Sequence, residues 1–340
     1  MTAPSRRTAL QLVRRPVGVP VPEDWTLVEE DLPELADGSV RVRVTHVSVD
    51  PAMRGWLDDA PSYLPPVRLG DTMRALGCGE VVESRAQRWP VGTVVQGLLG
   101  VQDIADASPR SLTRVDPALG SSVDYLGVLG QTGLTAYFGL FEIGAPRPGD
   151  TVVVSAAAGA VGSIVGQVAA ISGCRVVGVA GGPDKCRAVV EELGYDECLD
   201  YRDGGFAGAL AAACPDGIDV YFDNVGGHVL DACLDNLAHG ARVVLCGAIS
   251  QYNQVGTWSG PSRYWQLLVK RARMQGFLVF DYAQQYDVAR ARLAAWVRQG
   301  RITALTTEVH GGVADFPAVL DRLFTGQSTG KLVLVLASGP

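Results

Sequence analysis

Lysine is nearly absent from this chain of 340 residues: of 29 basic residues only Lys185, Lys270 and Lys331 are lysines. A lysine beside a loop able to hold a ligand therefore stands out. Excess positive charge is lacking too. The 36 acidic residues leave a net charge of −7, which excludes a nucleic-acid scaffold, because such binding is driven by Lys and Arg neutralising phosphates. A local basic site for one small anion stays open. The four histidines (His46, His228, His239, His310) are scattered without metal-ligand spacing. None of the seven cysteines forms a CxxC pair, so neither a disulfide framework nor a paired-cysteine zinc site has a signature. Residues 1–15 lack the apolar core of a secretory leader. Residues 151–174 carry no charge and are about as long as a membrane span. Their Gly159, Gly162, Gly166, Ser155, Ser163 and Gln167 fit a strand, a loop and a helix better. The expectation is a soluble cytoplasmic protein with no nucleic-acid partner, no membrane and no metal.

What is present is a long chain, 47% hydrophobic with 41 glycines, enough for about two domains. The first third reads as β. Residues 39–50 (SVRVRVTHVSVD) alternate apolar and polar side chains, as a half-buried strand does. Residues 79–82 and 93–97 are shorter strand candidates in what reads as a small, irregular antiparallel domain. Residues 125–143 then read as helix, and Pro146 to Asp150 as a turn. A βαβ rhythm follows: strand 151–155, a Gly/Ala loop, helix 163–172, strand 175–179 and helix 185–193. Strands are expected at 218–223, 241–246 and 274–280, a helix at 286–299, and a closing helix and strand at 316–324 and 331–336. Continuous apolar strands alternating with helices predict a parallel sheet covered on both faces.

The loop between the first such strand and its helix reads Ser155-Ala-Ala-Ala-Gly159-Ala-Val-Gly162. In that context an A-x-G-x-x-G match is a dinucleotide fingerprint: small residues let the backbone approach a pyrophosphate, and free N–H groups at the helix start donate to it. The other reading is a tight turn with close helix–strand packing. An NAD site places Asp or Glu at the tip of the next strand. Here that tip is Val179-Ala-Gly-Gly-Pro183, without a carboxylate, and Lys185 stands just beyond. A cation there suits a 2′-phosphate; the alternative is an ordinary solvated lysine.

Several segments together resemble one family. They are Ser48-Val-Asp-Pro-Ala-Met-Arg54, Gly133-Leu-Thr-Ala-Tyr-Phe138, Ala156 to Gly162, Asp223-Asn-Val-Gly226, Cys246-Gly-Ala-Ile-Ser-Gln-Tyr-Asn253 and Gly330-Lys-Leu332. The chain is similar to the zinc-independent medium-chain dehydrogenase/reductases, in the branch of prostaglandin reductase (leukotriene B4 12-hydroxydehydrogenase) and the NADPH-dependent alkenal/one and curcumin reductases. The resemblance implies an α/β fold, with a GroES-like catalytic β domain (1–125 and 304–340) and a doubly wound parallel Rossmann NADP-binding domain (126–303). It implies a homodimer. It implies pyrophosphate contact at Gly159, Ala160, Val161 and Gly162, and 2′-phosphate contact at Lys185 and Tyr201. Asn224 would face a ribose, and Cys246, Gly247, Ala248, Ile249, Ser250 and Tyr252 would line the cofactor. Phe277, Leu278 and Val279 would flank the nicotinamide, with Thr135 and Met53 near the cleft. Two departures stand out. Ala52 replaces the family's usual tyrosine, which would open or reshape the substrate mouth. Ser328 replaces an asparagine, and its hydroxyl offers a shorter reach and one donor to the cofactor carboxamide.

Asp50 lies where the zinc enzymes of the superfamily carry a cysteine, and Gly77-Cys-Gly79 lacks their Gly-His-Glu pattern. Reduction of an α,β-unsaturated carbonyl asks for no Lewis acid. It needs an alkene positioned over the nicotinamide and a donor to the developing oxyanion. Tyr252 is the candidate catalytic donor; the alternative is a tyrosine that only packs on the cofactor. Cys246 is either a nucleophile or a small residue ending a buried strand. Residues 258–265 (WSGPSRYW) are expected as a loop, either a substrate wall or a subunit contact. The expected function is NADPH-dependent reduction of the C=C bond of small enals and enones. Zinc-free quinone reduction and non-catalytic NADPH sensing are the alternatives.

Overall fold

The computed structural model describes residues 4–60 and 62–337. Residues 1–3, 61 and 338–340, which fall in the spans expected for the β domain, lie outside the described residues. The chain opens with β1 (Arg6–Leu12) and β2 (Trp25–Asp31), paired antiparallel. β3 (Val40–Val49), β4 (Leu76–Ser84), β5 (Val94–Leu98), β6 (Ile104–Ala107), β7 (Leu112–Arg114) and α1 (Ser122–Leu126) follow. α2 (Gln131–Phe138) runs into a π-helical turn over Gly139–Gly144. Next come β8 (Thr151–Ser155), α3 (Gly162–Ile171), β9 (Arg175–Ala180), α4 (Pro183–Glu191), β10 (Glu197–Asp200) and α5 (Phe206–Ala213). Then come β11 (Ile218–Asp223), α6 (Gly227–Asp235), β12 (Leu237–Leu245), α7 (Trp265–Lys270), β13 (Arg273–Gly276) and α8 (Tyr286–Arg298). β14 (Thr306–Gly311), α9 (Phe316–Phe324) and β15 (Lys331–Leu336) close the chain.

Two compact units result: Met1–Leu126 with Thr306–Ser328 and Leu332–Pro340, and Gly127–Leu305 with Thr329–Lys331. In the first, the sheet order is β14-β15-β3-β4-β5-β7, with β6 also on β3. β15, β4 and β6 all pair antiparallel with β3, so β3 is a central strand. This changes how its alternation plays out. Val40, Val42 and Val44 are buried as expected, but Val47, Ser48 and Val49 are buried in succession, and Arg41 is buried too. Arg41 is tolerated because its guanidinium meets Asp106 and Glu83 (2.8 and 2.9 Å) and donates to the Pro33 carbonyl. A buried charge without such partners would be costly.

In the second unit six parallel strands lie in the order β10-β9-β8-β11-β12-β13. This is the Rossmann order, which reverses direction between β8 and β11 and so opens a crevice beyond those strand ends. Some elements differ from expectation. The helix expected over 125–143 is broken at residues 127–130. The chain doubles back there so tightly that a Cβ on Gly133 would overlap the Val128 carbonyl. The strand expected over 274–280 stops at Gly276, and Val279–Gln285 coils into a 3-10 turn. β12 begins four residues earlier than expected. β10, α5, α6 and α7 had no strong pattern: β10 is short and polar, and α6 opens with two glycines that read as a turn. Trp265, expected in a loop, opens α7.

Candidate nucleotide site

β8 ends at Ser155, and Ala156 turns the chain with a left-handed φ of 49°. The Gly159 N–H closes the turn on the Ala156 carbonyl (2.8 Å), and the Ala157 N–H ties it to Val179 at the end of β9 (3.0 Å). A Cβ on Gly162 would overlap the Ala156 carbonyl oxygen, so only glycine lets α3 start so close to the strand end. Among the described residues no protein acceptor meets the N–H groups of Val161 and Gly162. Bare donors at a helix start are an anion site. Tyr195 braces the helix from within: its Oη donates to Gly162 O (2.5 Å) and accepts from Gly166 N–H (3.1 Å). Gly330, from the C-terminal Gly-Lys motif, donates to Ala158 O (2.8 Å) and forms a parallel bridge with Gly159.

The tip of β9 is bare, as its sequence indicates. Gly182 takes φ 93° and leads into α4, whose first turn carries Lys185. From the end of β10, Asp200 accepts the N–H groups of Gly182 and Arg202 (3.0 Å each), and these two bonds hold its carboxyl below the usual range. Asp200 thus shapes the loop rather than filling it. Tyr201 and Arg202 follow. The Arg202 guanidinium lies 5.7 Å from the Tyr201 ring centre. Burial, and then the positive charge of Arg202, lower the pKa of Lys185. Neither cation forms a salt bridge among the described residues. Two like charges near one another, beside a carboxylate already engaged by backbone N–H groups, are a receptor for an anion. Arg202 escaped sequence reading because one arginine among 26 carries no signal. Its only mark is its place after Tyr201.

Beyond β8 and β11 lies a hydrogen-bonded floor. The buried Asp223 Oδ1 accepts from Tyr221 Oη (2.7 Å), Ser155 Oγ (3.2 Å) and the N–H groups of Val225 and Gly226. Burial raises its pKa while these bonds oppose the shift. Asn224 Nδ2 donates to Ser155 O (2.7 Å). The segment after β12 is laced to this floor. Cys246 and Gly247 N–H donate to Asp223 O, Ile249 N–H to Asn224 O, and Ser250 N–H and Oγ to Val225 O. Tyr252 folds back on its own loop. Its Oη accepts the Ala248 N–H (3.2 Å), and its ring lies 6.0 Å from that of Trp258. The Cys246 thiol is pushed up to about 12, by burial first and Asp223 second, so it is a neutral thiol at pH 7.

Phe277 lies beyond β13, against Gly139, where a Cβ would come within 2.5 Å of its ring and 2.8 Å of Phe222. Val279 is buried, Leu278 exposed and Thr135, on α2, half-buried. In the first unit, Met53 lies fully buried in the apolar core, and Ala52 packs against that core. Ser328 is half-buried just before β15. Asp50 accepts the Ser48 hydroxyl (2.5 Å), and the Cys78 thiol, raised to about 12 by burial, donates to Ser122 O. No group of three or more His, Cys, Asp or Glu side chains is placed to hold a metal among the described residues. No described helix is long and apolar enough to cross a membrane.

Known proteins resemble the chain throughout. Residues 8–115 match a family described as the N-terminal domain of oxidoreductase, and residues 160–295 one described as zinc-binding dehydrogenase. The NADPH-dependent curcumin reductase of Escherichia coli is 42% identical over 331 residues, 96% of either chain. The NADP-dependent 2-alkenal reductase of Nicotiana tabacum is 36% identical over 88% of this chain and 87% of its own. The crystal structure of CurA in complex with NADPH from Vibrio vulnificus superposes with a TM-score of 0.92 at 41% identity, covering 98% of this chain and all of that one. With the glycine loop opening α3 and the neighbouring cations beyond β9, these likenesses place the chain in the medium-chain dehydrogenase/reductase family, in the branch of NADP-dependent curcumin, 2-alkenal and prostaglandin reductases.

Proposed function

We propose that the protein uses NADPH to reduce the C=C bond of α,β-unsaturated aldehydes and ketones. One observation carries the cofactor choice: Lys185 and Arg202 stand near one another beyond β9, where the Asp200 carboxylate is engaged by the backbone N–H groups of Gly182 and Arg202. The relatives' names carry the reaction class. When bound, NADPH supplies hydride to the substrate β-carbon, charge moves to the carbonyl oxygen as an enolate, and a proton reaches the α-carbon.

The chain's own residues do the rest. The loop Gly159-Ala160-Val161-Gly162 binds the pyrophosphate, with the N–H groups of Val161 and Gly162 donating to it. Lys185, Tyr201 and Arg202 hold the 2′-phosphate. Asn224 keeps its Oδ1 for a ribose hydroxyl, its Nδ2 being spent on Ser155. Cys246, Gly247, Ala248, Ile249 and Ser250 line the cofactor, Phe277, Leu278 and Val279 flank the nicotinamide, and Thr135 contributes near it. Tyr252 donates to the enolate oxygen. Accepting the Ala248 N–H polarises its phenol and makes the O–H a better donor. In this reading residues 126–303 bind NADP, and 1–125 with 304–340 form the catalytic domain.

The deciding experiment follows NADPH consumption against a panel of 2-alkenals, enones and quinones, with NADH in parallel. Turnover of enals and enones with preference for NADPH is expected. Activity on quinones alone, or tight NADPH binding without turnover, would overturn the proposal. We place the protein in the cytoplasm as a homodimer. Among the described residues β13 is an edge strand of the parallel sheet, and the preceding α7 exposes Trp265 and Leu268 (62% and 64%); such edges and patches call for cover. Light scattering should give twice the chain mass, and a monomer for Leu268→Asp.

A further inference from the structure

Residues 277–279 leave β13 without a regular element of their own, so something else must hold them. Tyr286, the first residue of α8, donates from Oη to the Val279 carbonyl (2.9 Å). The carbonyl before it, Leu278 O, accepts the Asp281 N–H (3.1 Å). Donors of the chain thus engage both carbonyls and fix both peptide planes. Phe277 is fixed by its ring, which lies in the notch at Gly139, where a Cβ would come within 2.5 Å of it. These anchors share one support. Tyr282 stacks on Phe138 of α2, with ring centres 4.7 Å apart and planes 6° from parallel, and the Tyr286 ring lies 6.2 Å from the same phenylalanine. Arg290, one turn further along α8, donates from Nε to Leu129 O at the bend before α2 (3.0 Å). Phe138 follows Thr135 by three residues on α2, which makes them neighbours on one helix face. One aromatic support therefore carries both Thr135 and residues 277–279.

We propose that Tyr286 is a positioning residue for hydride transfer: its bond to Val279, with the Phe277 ring seated at Gly139, holds residues 277–279 where they orient the nicotinamide. The inference rests on the reading that residues 277–279 flank the nicotinamide; the hydrogen bond and the notch do not. Transfer between two carbons depends steeply on their distance and alignment, and a displacement of about 1 Å from a change remote from the chemistry can cost about a hundredfold in rate. A site is held to that tolerance by supporting hydrogen bonds and packing around the groups that touch the ligand. Deleting the Tyr286 hydroxyl frees the Val279 carbonyl and lets the segment shift. The glycine loop and the cations beyond β9 draw on other elements, so they keep their hold on the phosphates. The rate of transfer and the affinity for the cofactor should therefore separate.

The test is Tyr286→Phe in the full-length protein, which keeps the ring beside Phe138 and removes only the hydroxyl. Stopped flow gives the single-turnover rate of NADPH oxidation on whichever acceptor, enone or quinone, the parent protein reduces. Titration gives the dissociation constants of NADPH and of 2′-phospho-ADP-ribose, which carries the phosphates without the nicotinamide. Transfer about tenfold slower, a full isotope effect from deuterated NADPH, and both dissociation constants within about threefold of the parent are expected. Gly139→Ala, which displaces the Phe277 ring instead, should show the same split; where it fails to fold, Tyr286→Phe decides alone. A transfer rate within about twofold of the parent overturns the proposal. So does an equal, large weakening of NADPH and 2′-phospho-ADP-ribose, which marks a general loosening of the fold. Phe277→Ala separates the two layers. If it slows transfer while Tyr286→Phe does not, the nicotinamide reading stands and the role of Tyr286 falls. If Phe277→Ala leaves transfer unchanged, the reading of residues 277–279 fails and takes the inference with it.

Discussion

At the scale of single residues the site turns on charge. Lys185 is one of three lysines, and it stands near Arg202 with a lowered pKa. A charge-assisted hydrogen bond contributes about 1.5–3 kcal/mol, roughly tenfold to a hundredfold in affinity. Lys185→Ala should therefore weaken NADPH by about that factor and leave NADH within about twofold, as fluorescence titration will show. The pH dependence has a definite sign. A 2′-phosphate selects the protonated lysine, whose pKa lies below 10.5 in the free protein. NADPH affinity should fall as pH rises through that lowered value, while NADH affinity stays flat and Lys185→Arg removes the alkaline loss. The proton chemistry turns on Tyr252. Removing an oxyanion donor commonly slows reaction about 10²–10³-fold, so Tyr252→Phe should lower kcat on a good enone by that order with little change in NADPH binding. A loss under twofold would reduce Tyr252 to a packing group against Trp258. Arg202 shows the limit of residue-level reading: a common residue becomes notable only when folding sets it near another cation.

At the scale of elements, the strand–loop–helix of β8 and α3 is written locally. A β-branched run, a Gly/Ala loop and an apolar helix follow one another within about twenty residues, and the structure keeps that order. What braces this element comes from afar. Tyr195 reaches Gly162 and Gly166 from about thirty residues downstream, and Gly330 comes from further still. A Cβ on Gly166 would overlap the Tyr195 ring. Gly166→Ala should therefore cost about 1–3 kcal/mol by overpacking. Tyr195→Phe should cost about 1 kcal/mol, because the hydroxyl's bonds to Gly162 O and Gly166 N–H are lost. Thermal unfolding checks both, and unchanged melting for both would mean the brace is idle. The helix expected over 125–143 teaches the converse. Its apolar run is genuine, but the close approach of Gly133 to Val128 breaks it, a contact that hydrophobic periodicity does not encode. β10 was missed because four residues of mixed polarity make no pattern; it exists because β9 offers an edge.

At the scale of the whole molecule, a ligand that binds only the folded chain stabilises it by mass action, about 2.7 kcal/mol at a hundredfold excess over its dissociation constant. NADPH should raise the melting temperature by several degrees. NADH at the same concentration should raise it less, and equal shifts would contradict the assignment of the cations. Sequence alone determined the alternating strands, the βαβ rhythm and the glycine loop, because hydrophobic period and glycine placement are local and survive in a linear string. It also carried the family likeness, since the motifs run in order along the chain. Only the tertiary structure decided that β3 is covered on both faces, that Asp200 spends its carboxylate on backbone, and that Arg202 stands near Lys185. Only it set Gly330 against the phosphate loop. Each of these depends on which distant segments become neighbours, and that is fixed by the packing of the sheets and helices rather than by any residue's own preference.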